Sequence, residues 1–143
     1  MNRQFLEPFE PDRPETYYSV EGQLAWIANP EQHNFVILDG GEHAGTISLS
    51  HIARGSLQCA SVGYWVDQKR NGRGLASAAL GELVDYAFGE LGLHRLEAGT
   101  LVDNVASQRV LEKNVFERFG LARRYLLIAG EWRDHVLFER VAD

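Results

Sequence analysis

Lys69-Arg70-Asn71-Gly72-Arg73-Gly74 separates a predicted strand, Cys59 to Val66, from a predicted helix that begins at Leu75. After this loop, apolar residues recur at helical spacing and polar residues fall on the opposite side. A loop that leads successive backbone N–H groups into a helix N-terminus forms an anion site, because the first-turn donors are unpaired and the helix dipole is positive there. The loop is therefore predicted to bind a phosphate group, through the backbone N–H groups from Asn71 to Ala76.

The side chains of the loop favour the same prediction. Gly72 and Gly74 let the backbone approach a phosphate closely. Three basic residues, Lys69, Arg70 and Arg73, supply positive charge within an acidic protein. The alternative is a glycine turn with a purely structural role.

Two families of phosphate-binding loops do not match. A P-loop ends in Gly-Lys followed by Ser or Thr, whereas Gly74 is followed by Leu75 and Ala76. A Rossmann fingerprint has Gly or Ala where this chain has Ser77. The fingerprint also lies in a parallel βαβ unit near the start of the fold, whereas this chain is predicted to begin with antiparallel strands. The loop belongs to neither class.

The rest of the chain predicts one mixed domain. Strands are predicted at Phe35–Leu38, Thr46–Ser50, Cys59–Val66 and Arg95–Val102, a second helix from Asp103 or Asn104 to about Asn114, and a closing hairpin from Arg123–Ile128 and Arg133–Val141. We therefore expect a single α+β domain over residues 1–143, with a mostly antiparallel twisted sheet flanked by helices and a proline-rich arm at 1–18.

Composition excludes several classes of function. The 14 basic and 20 acidic residues give a net charge of −6, which argues against a face that binds DNA or RNA. The lone Cys59 excludes an internal disulfide, and the five histidines show no zinc-ligand spacing. No apolar run is long enough to cross a membrane or to serve as a signal peptide. We expect a cytoplasmic protein with no metal, DNA or membrane partner.

The loop resembles the motif of the GNAT superfamily of N-acetyltransferases, Gln/Arg-x-x-Gly-x-Gly/Ala between that family's fourth strand and third helix, with Lys69 in the first position. Further segments are similar to the ribosomal-protein alanine acetyltransferase (RimJ/RimL-like) subfamily: Asn2–Pro11, Arg54-Gly55, Gly63-Tyr64, Asp103-Asn104, Glu112-Lys113-Asn114, Tyr125–Ile128 and Trp132–His135. The resemblance spans nearly the whole chain.

This resemblance implies that acetyl-CoA lies in a V-shaped gap between the strand ending at Val66 and the strand beginning near Arg95. The implied cofactor-binding residues are Trp65, Val66, Lys69, Arg70, Asn71, Gly72, Arg73, Gly74, Leu75, Ala76, Asn104 and Ser107. Many members protonate the CoA thiolate with a tyrosine seven residues after the asparagine that matches Asn104, where this chain has Leu111. Ser107, on the same helix face as Asn104, is the implied catalytic substitute.

The expected reaction is acetylation of an N-terminal α-amine of a protein or peptide. Acetylation of a small-molecule amine and a non-catalytic acyl-CoA-binding module remain alternatives. Candidate acceptor-binding residues are Glu10, His51, Tyr64 and Tyr125. Related enzymes can carry a carboxylate, which acts as the general base, immediately before the tyrosine that matches Tyr125. This chain has Arg124 at that position, so the general base is not identified.

Two departures from the family pattern lead to structural expectations. Val115 stands where glycine is expected, so it would be strained if the turn needs a positive φ, and the turn would be locally rearranged. The family's first strand and most of its first helix have no counterpart before Asn2, which would leave the strand at Phe35–Leu38 as a sheet edge. We therefore expect a homodimer, or an arm that covers this edge.

Overall fold

The computed structural model describes residues 32–70 and 74–143. Several predictions concern residues outside these ranges and are not tested: the arm at 1–18, the chain start, Glu10, and Asn71, Gly72 and Arg73 of the loop. No helix within the described ranges is long and apolar enough to cross a membrane.

The described chain forms one six-stranded sheet and two helices. The strands are β1 (His33–Asp39), β2 (Glu42–Ala53), β3 (Cys59–Val66), β4 (Arg95–Leu101), β5 (Glu117–Ile128) and β6 (Glu131–Val141), and the helices are α1 (Leu75–Gly89) and α2 (Val105–Lys113). A short 3-10 helix, Gln68–Arg70, leads into the glycine loop. The strand order is β1-β2-β3-β4-β6-β5, and every neighbouring pair is antiparallel except β3 with β4. The expected mixed, mostly antiparallel sheet is confirmed.

Two tight turns set the register of the hairpins. Gly40 and Gly41 both have positive φ, as the two-residue turn between paired Asp39 and Glu42 requires. Ala129 and Gly130 form the same kind of turn between β5 and β6, although Ala129 bears a side chain. The turn is thus shorter than the sequence predicted, because Glu131 already pairs with Ile128.

Strand β5 begins six residues before the predicted start at Arg123, at Glu117. The pairing with β6 shifts between Arg118 and Gly120 and again between Ala122 and Leu126. Such bulges interrupt the alternation of side chains, which is the signal by which a strand is predicted from sequence. The early half of β5 was missed for this reason.

Both helices contribute to one hydrophobic core on the sheet. The buried side chains of α1 are Leu80, Leu83, Val84 and Ala87, and those of the sheet include Ile47, Leu49, Val62, Leu96 and Phe138. Leu111 of α2 is fully buried in the same core. Leu111, at the position where many family members carry a tyrosine, is therefore a core residue.

Helix α2 ends in a turn that requires a left-handed residue. The Val115 N–H donates to the Glu112 carbonyl and the Phe116 N–H to the Leu111 carbonyl, both at 3.0 Å. These are the paired hydrogen bonds of a Schellman motif, in which the residue at Val115 takes a positive φ. Val115 has a φ of 64°. The expected strain is confirmed, whereas the expected rearrangement is wrong, because the turn keeps its standard hydrogen bonds.

Replacing Val115 with glycine should stabilise the protein. A β-branched residue in the left-handed region costs on the order of 1 kcal/mol, and glycine removes that strain. The Val115 side chain is 64% exposed, so little packing is lost. We expect Val115→Gly to raise the free energy of unfolding, measured by urea denaturation, by about 1 kcal/mol.

The matched control is Val102→Gly. Val102 is also exposed but has no positive φ, so glycine there should lower stability or leave it unchanged. A loss of stability in Val115→Gly would contradict the assignment of strain.

Candidate active site

The parallel strands β3 and β4 pair over only three residues. Their register is Cys59 with Arg95, Ala60 with Leu96 and Ser61 with Glu97. Beyond these pairs the two strands separate, while each stays paired with its outer neighbour: Val66 with Gly45, and Leu101 with His135. The backbone groups of residues 62–66 and 98–101 therefore face a gap rather than a strand. The V-shaped gap that the resemblance implied is present.

At the narrow end of this gap, Arg95 forms two ion pairs, one within β4 and one with β6. Arg95 Nε lies 2.8 Å from Glu97 Oε2, and Arg95 Nη1 lies 2.6 Å from Glu139 Oε2. Cys59 is buried beside them, and burial, with a smaller contribution from the Glu97 carboxylate, raises the pKa of its thiol. A raised pKa keeps the thiol protonated and unreactive. This agrees with a structural role for Cys59.

At the wide end, the first turn of α2 meets β3. The Asn104 side chain caps α2, since its Oδ1 accepts a hydrogen bond from the Ser107 N–H at 3.2 Å. The Tyr64 hydroxyl lies 2.9 Å from Ser107 Oγ and also donates to the Ser107 carbonyl at 3.2 Å. The structure thus brings three predicted site residues, Asn104, Ser107 and Tyr64, into one hydrogen-bonded group.

The Tyr64 phenol is a hydrogen-bond donor in this site. Burial raises the pKa of Tyr64 to about 12, and the hydrogen bond with Ser107 opposes that rise only in part. The phenol is therefore neutral at physiological pH. It cannot serve as a general base there, because almost no phenolate is present to accept a proton.

Strand β4 also carries a buried polar group without a partner among the described residues. Thr100 lies in the separated part of β4, and its Oγ1 is buried with no hydrogen-bond partner among the described residues. A buried hydroxyl without a partner is unfavourable in a folded protein unless a ligand or water completes it. The facing strand edges at residues 62–66 and 98–101 fit a ligand with amide groups, such as the pantetheine chain of CoA.

Gly74 begins α1 in a conformation suited to an anion. It is the N-cap residue, has a φ of 76°, and makes no side-chain cap. A Cβ at this position would meet nothing within 4 Å, so the space beside the backbone is open. The first turn of α1 holds no acidic residue. The first turn of α1 therefore contributes no carboxylate that would compete for these N–H groups, which fits a phosphate group.

Arg70 is paired with two carboxylates of the β1–β2 hairpin. Its guanidinium lies 2.7 Å from Asp39 Oδ2 and 2.8 Å from Glu42 Oε2. These contacts tie the start of the glycine loop to the β1–β2 hairpin and offset much of the positive charge of Arg70. Its contribution in this structure is to anchor the loop.

The end of β3 depends on a glycine that the sequence analysis missed. A Cβ on Gly45 would lie 2.1 Å from the Trp65 carbonyl oxygen, so only glycine lets β2 approach β3 this closely. Asp67 then continues the contact by donating its N–H to the Ala44 carbonyl at 2.6 Å. Trp65 and Val66 are buried here, at the edge of the gap. An isolated glycine within a strand was the available signal.

Of the other predicted acceptor residues, His51 lies apart from this group and Tyr125 lies on the closing hairpin. His51 is exposed in a β2 bulge with a φ of 51°, one residue beyond the pair Ser50–Ser61. Tyr64 lies three residues after Ser61 on β3, which places it about 10 Å closer to the wide end of the gap. Tyr125 is exposed on β5, with its ring 5.7 Å from the ring of buried His135. The structure does not bring His51 to Ser107.

The segment Trp132–His135 belongs to the β5–β6 hairpin, as predicted. The Asp134 side chain accepts a hydrogen bond from the Arg124 N–H at 2.8 Å, and Arg124 has a φ of 47°. Arg124 thus stabilises the β5 bulge through its backbone. Within residues 32–70 and 74–143, no group of three or more potential ligand residues could hold a metal ion.

Comparison with known proteins agrees with this geometry. The family model described as acetyltransferase (GNAT) domain matches residues 2–117. The chain belongs to the GNAT acetyltransferase family. Among curated relatives of this GNAT protein, a probable N-acetyltransferase, YjcK of Bacillus subtilis, is 43% identical over 94% of this chain and 79% of its own length. The alanine N-acetyltransferase of ribosomal protein uS5 from Escherichia coli is 34% identical over 95% of this chain and 75% of its own length.

A solved structure has the same fold. Mycobacterium smegmatis RimJ in complex with CoA-disulfide superposes with a TM-score of 0.92 at 33% identity, covering 99% of this chain and 72% of its own. The chain is thus a GNAT N-acetyltransferase by sequence and by fold, and its relatives are RimJ/RimL-type enzymes.

Proposed function

We propose that this GNAT enzyme transfers an acetyl group from acetyl-CoA to the α-amino group at the N-terminus of a protein or peptide. The observation that carries the proposal is the gap between β3 and β4, with the hydrogen-bonded group of Asn104, Ser107 and Tyr64 at its wide end. The relatives named for ribosomal-protein acetylation support a protein acceptor. We place the reaction in the cytoplasm.

In this proposal the glycine loop and the first turn of α1 bind the pyrophosphate of CoA. Asn71, Gly72 and Arg73 belong to the binding loop, and the backbone from Gly74 to Ala76 supplies donors at the helix N-terminus. The free strand edge at Trp65 and Val66 pairs with the amides of pantetheine. Acetyl-CoA supplies the activated acyl group as a thioester.

Proton transfer is assigned to Ser107 on the leaving-group side. As the amine nitrogen attacks the thioester carbonyl carbon, a C–N bond forms and the C–S bond breaks. The nitrogen loses one proton to water or to a base outside the described group, and the sulfur gains one through the Ser107 hydroxyl. An α-amino group has a pKa near 8, against about 10.4 for lysine, so little general-base assistance is needed.

Three of the predicted residues are candidates for binding the acceptor. We retain Glu10 and Tyr125 as candidate contacts with the acceptor. His51 is a weaker candidate, because it lies near the narrow end of the gap and is exposed. A small-molecule amine as acceptor and a non-catalytic acyl-CoA-binding module are the competing functions.

The deciding assay is acceptor-dependent release of the CoA thiol. We expect peptides with a free N-terminal alanine or serine to cause release from acetyl-CoA, and the same peptides with a blocked N-terminus to cause none, because only a neutral amine can attack the thioester. Release with small amines alone would favour the second function. Tight CoA binding with no acceptor-dependent release would favour the third.

Gly74→Glu should abolish CoA binding. The substitution puts a negative charge and a side chain into the open space at the N-terminus of α1. We expect the dissociation constant for CoA, measured by calorimetry, to rise at least about 100-fold, equivalent to roughly 2.7 kcal/mol.

Gly92→Glu is the matched control for this substitution. Gly92 also has a positive φ and open space at its Cβ position, but it follows the C-terminal end of α1. The backbone strain is therefore comparable and the anion site is untouched. Similar loss of CoA affinity in both variants would refute the placement of the pyrophosphate.

We also propose that the enzyme forms a homodimer through β1. Among the described strands β1 lies at one edge of the sheet, and Val36 and Leu38 are exposed there. An apolar groove of about 400 Å³ between β1 and α1 adjoins this edge. An exposed apolar strand edge is a ready surface for pairing with a second chain.

Light scattering tests the dimer. We expect the wild-type protein to be dimeric and the double variant Val36→Lys, Leu38→Lys to be monomeric, because charge on an edge strand opposes pairing. Leu57→Lys, at an exposed apolar residue away from β1, is the control and should stay dimeric. A monodisperse wild-type monomer would refute the proposal.

A further inference from the structure

The Tyr64 hydroxyl has one proton and lies within hydrogen-bonding distance of two oxygens, both of which belong to Ser107. Its oxygen lies 2.9 Å from Ser107 Oγ and 3.2 Å from the Ser107 carbonyl oxygen. Either oxygen of the Tyr64–Ser107 hydroxyl pair can be the donor at the shorter distance. Two hydrogen-bond arrangements are therefore compatible with one set of atomic positions.

These arrangements differ in where the Ser107 proton points. If Tyr64 donates to the Ser107 carbonyl, the Ser107 hydroxyl can donate to the Tyr64 oxygen. The Ser107 proton is then used in that hydrogen bond and is not available to a ligand. If Tyr64 donates instead to Ser107 Oγ, the Ser107 proton must point elsewhere. In the second arrangement the Ser107 hydroxyl is a donor directed away from Tyr64.

We propose that Tyr64 is a positioning residue that switches the Ser107 hydroxyl between a resting arrangement and one that donates to the leaving thiolate. This inference rests on the proposed function and deepens it. It assigns to Tyr64 a role on the leaving-group side of the reaction, in place of contact with the acceptor.

The surroundings hold Ser107 in place for this role. The Ser107 N–H is fixed by Asn104 at 3.2 Å, so its backbone is held from one side by the cap and from the other by Tyr64. Ser107 lies in the first turn of α2, where the helix dipole favours negative charge nearby. A thiolate that develops beside Ser107 would gain from both effects.

The neutral state of Tyr64 is a condition for the switch. A phenolate could not donate to Ser107 Oγ and would hold the Ser107 proton in the resting arrangement. Burial raises the pKa of Tyr64 to about 12, so the phenol keeps its proton through the pH range of the reaction. Over one turnover the proton balance is unchanged: the amine loses a proton, the thiolate gains one, and both hydroxyls end protonated.

A double-mutant cycle tests the role in turnover. We expect Tyr64→Phe to lower kcat about tenfold and to leave KM for acetyl-CoA within about twofold, because the phenyl ring keeps the packing and loses only the hydroxyl. Ser107→Ala should lower kcat more. In the Ser107→Ala background, Tyr64→Phe should have no further effect, because it acts only through Ser107.

Tyr86→Phe is the matched control for the loss of a phenol. The Tyr86 hydroxyl lies 2.8 Å from His33 Nδ1, at the side of α1 that meets β1. This substitution also removes one hydrogen-bonded phenol hydroxyl, and kcat should stay at the wild-type value. Urea denaturation of each variant checks that the fold is retained.

A second readout does not need an acceptor. CoA and desulfo-CoA differ only at the thiol, so the ratio of their affinities reports the contact with the sulfur. At a pH above the pKa of the thiol, we expect the wild type to favour CoA several-fold, and Tyr64→Phe and Ser107→Ala each to reduce that preference. The double variant should show no further reduction.

The two readouts separate the two proposals. If the wild type shows no acceptor-dependent thiol release, the proposed function fails, while the affinity ratio still tests the Tyr64–Ser107 pair. If Tyr64→Phe lowers kcat equally with and without Ser107, or leaves both kcat and the CoA preference unchanged, the positioning role of Tyr64 is refuted.

Discussion

The separation of β3 from β4 after three residue pairs is the constraint on which the site depends. Parallel strands that continued to pair would satisfy their own backbone groups and leave no edge for a ligand. Here each strand is held on its outer side, by β2 and by β6, so the gap opens without loss of the sheet. The core formed by α1 and α2 on the sheet compensates for the missing pairs. The ion pairs of Arg95, with Glu97 on the same strand and Glu139 on β6, add to the outer support of β4.

The acidic character of the protein also shapes the site. With a net charge of −6, the chain cannot attract CoA by its overall field, so the attraction must be local. In the described part of the loop, Arg70 is engaged by Asp39 and Glu42, and its charge is largely offset. The unpaired N–H groups at the start of α1 remain as donors, and they are fixed in direction by the helix. Backbone dipoles held in this way need no reorganisation when an anion arrives.

Local sequence patterns were sufficient to predict most of the helices and strands, but they did not predict which side chains meet in the site. The strand Cys59–Val66, the start of α1 and the Asn104 cap follow from side-chain alternation, helical periodicity and capping, and the structure confirms all three. The contact between Tyr64 and Ser107 joins residues 43 positions apart, so only the tertiary packing of α2 on β3 reveals it. His51 and Tyr64 are both predicted acceptor-binding residues, and the register of β2 with β3 separates them. Bulges in β2 and β5 disrupt the alternation that sequence-based prediction relies on.

The chemical character of the described site bears on the choice of acceptor. Its wide end is formed by donors: the Ser107 hydroxyl, a phenol with a pKa of about 12, and the N-terminus of α2. Such groups stabilise developing negative charge on sulfur, and none of them removes a proton from an ammonium group. A lysine side chain, with a pKa near 10.4, would need a strong base at neutral pH, whereas an α-amine near 8 is already neutral in appreciable fraction. This set of groups supports the proposed N-terminal amine, rather than lysine, as the acceptor.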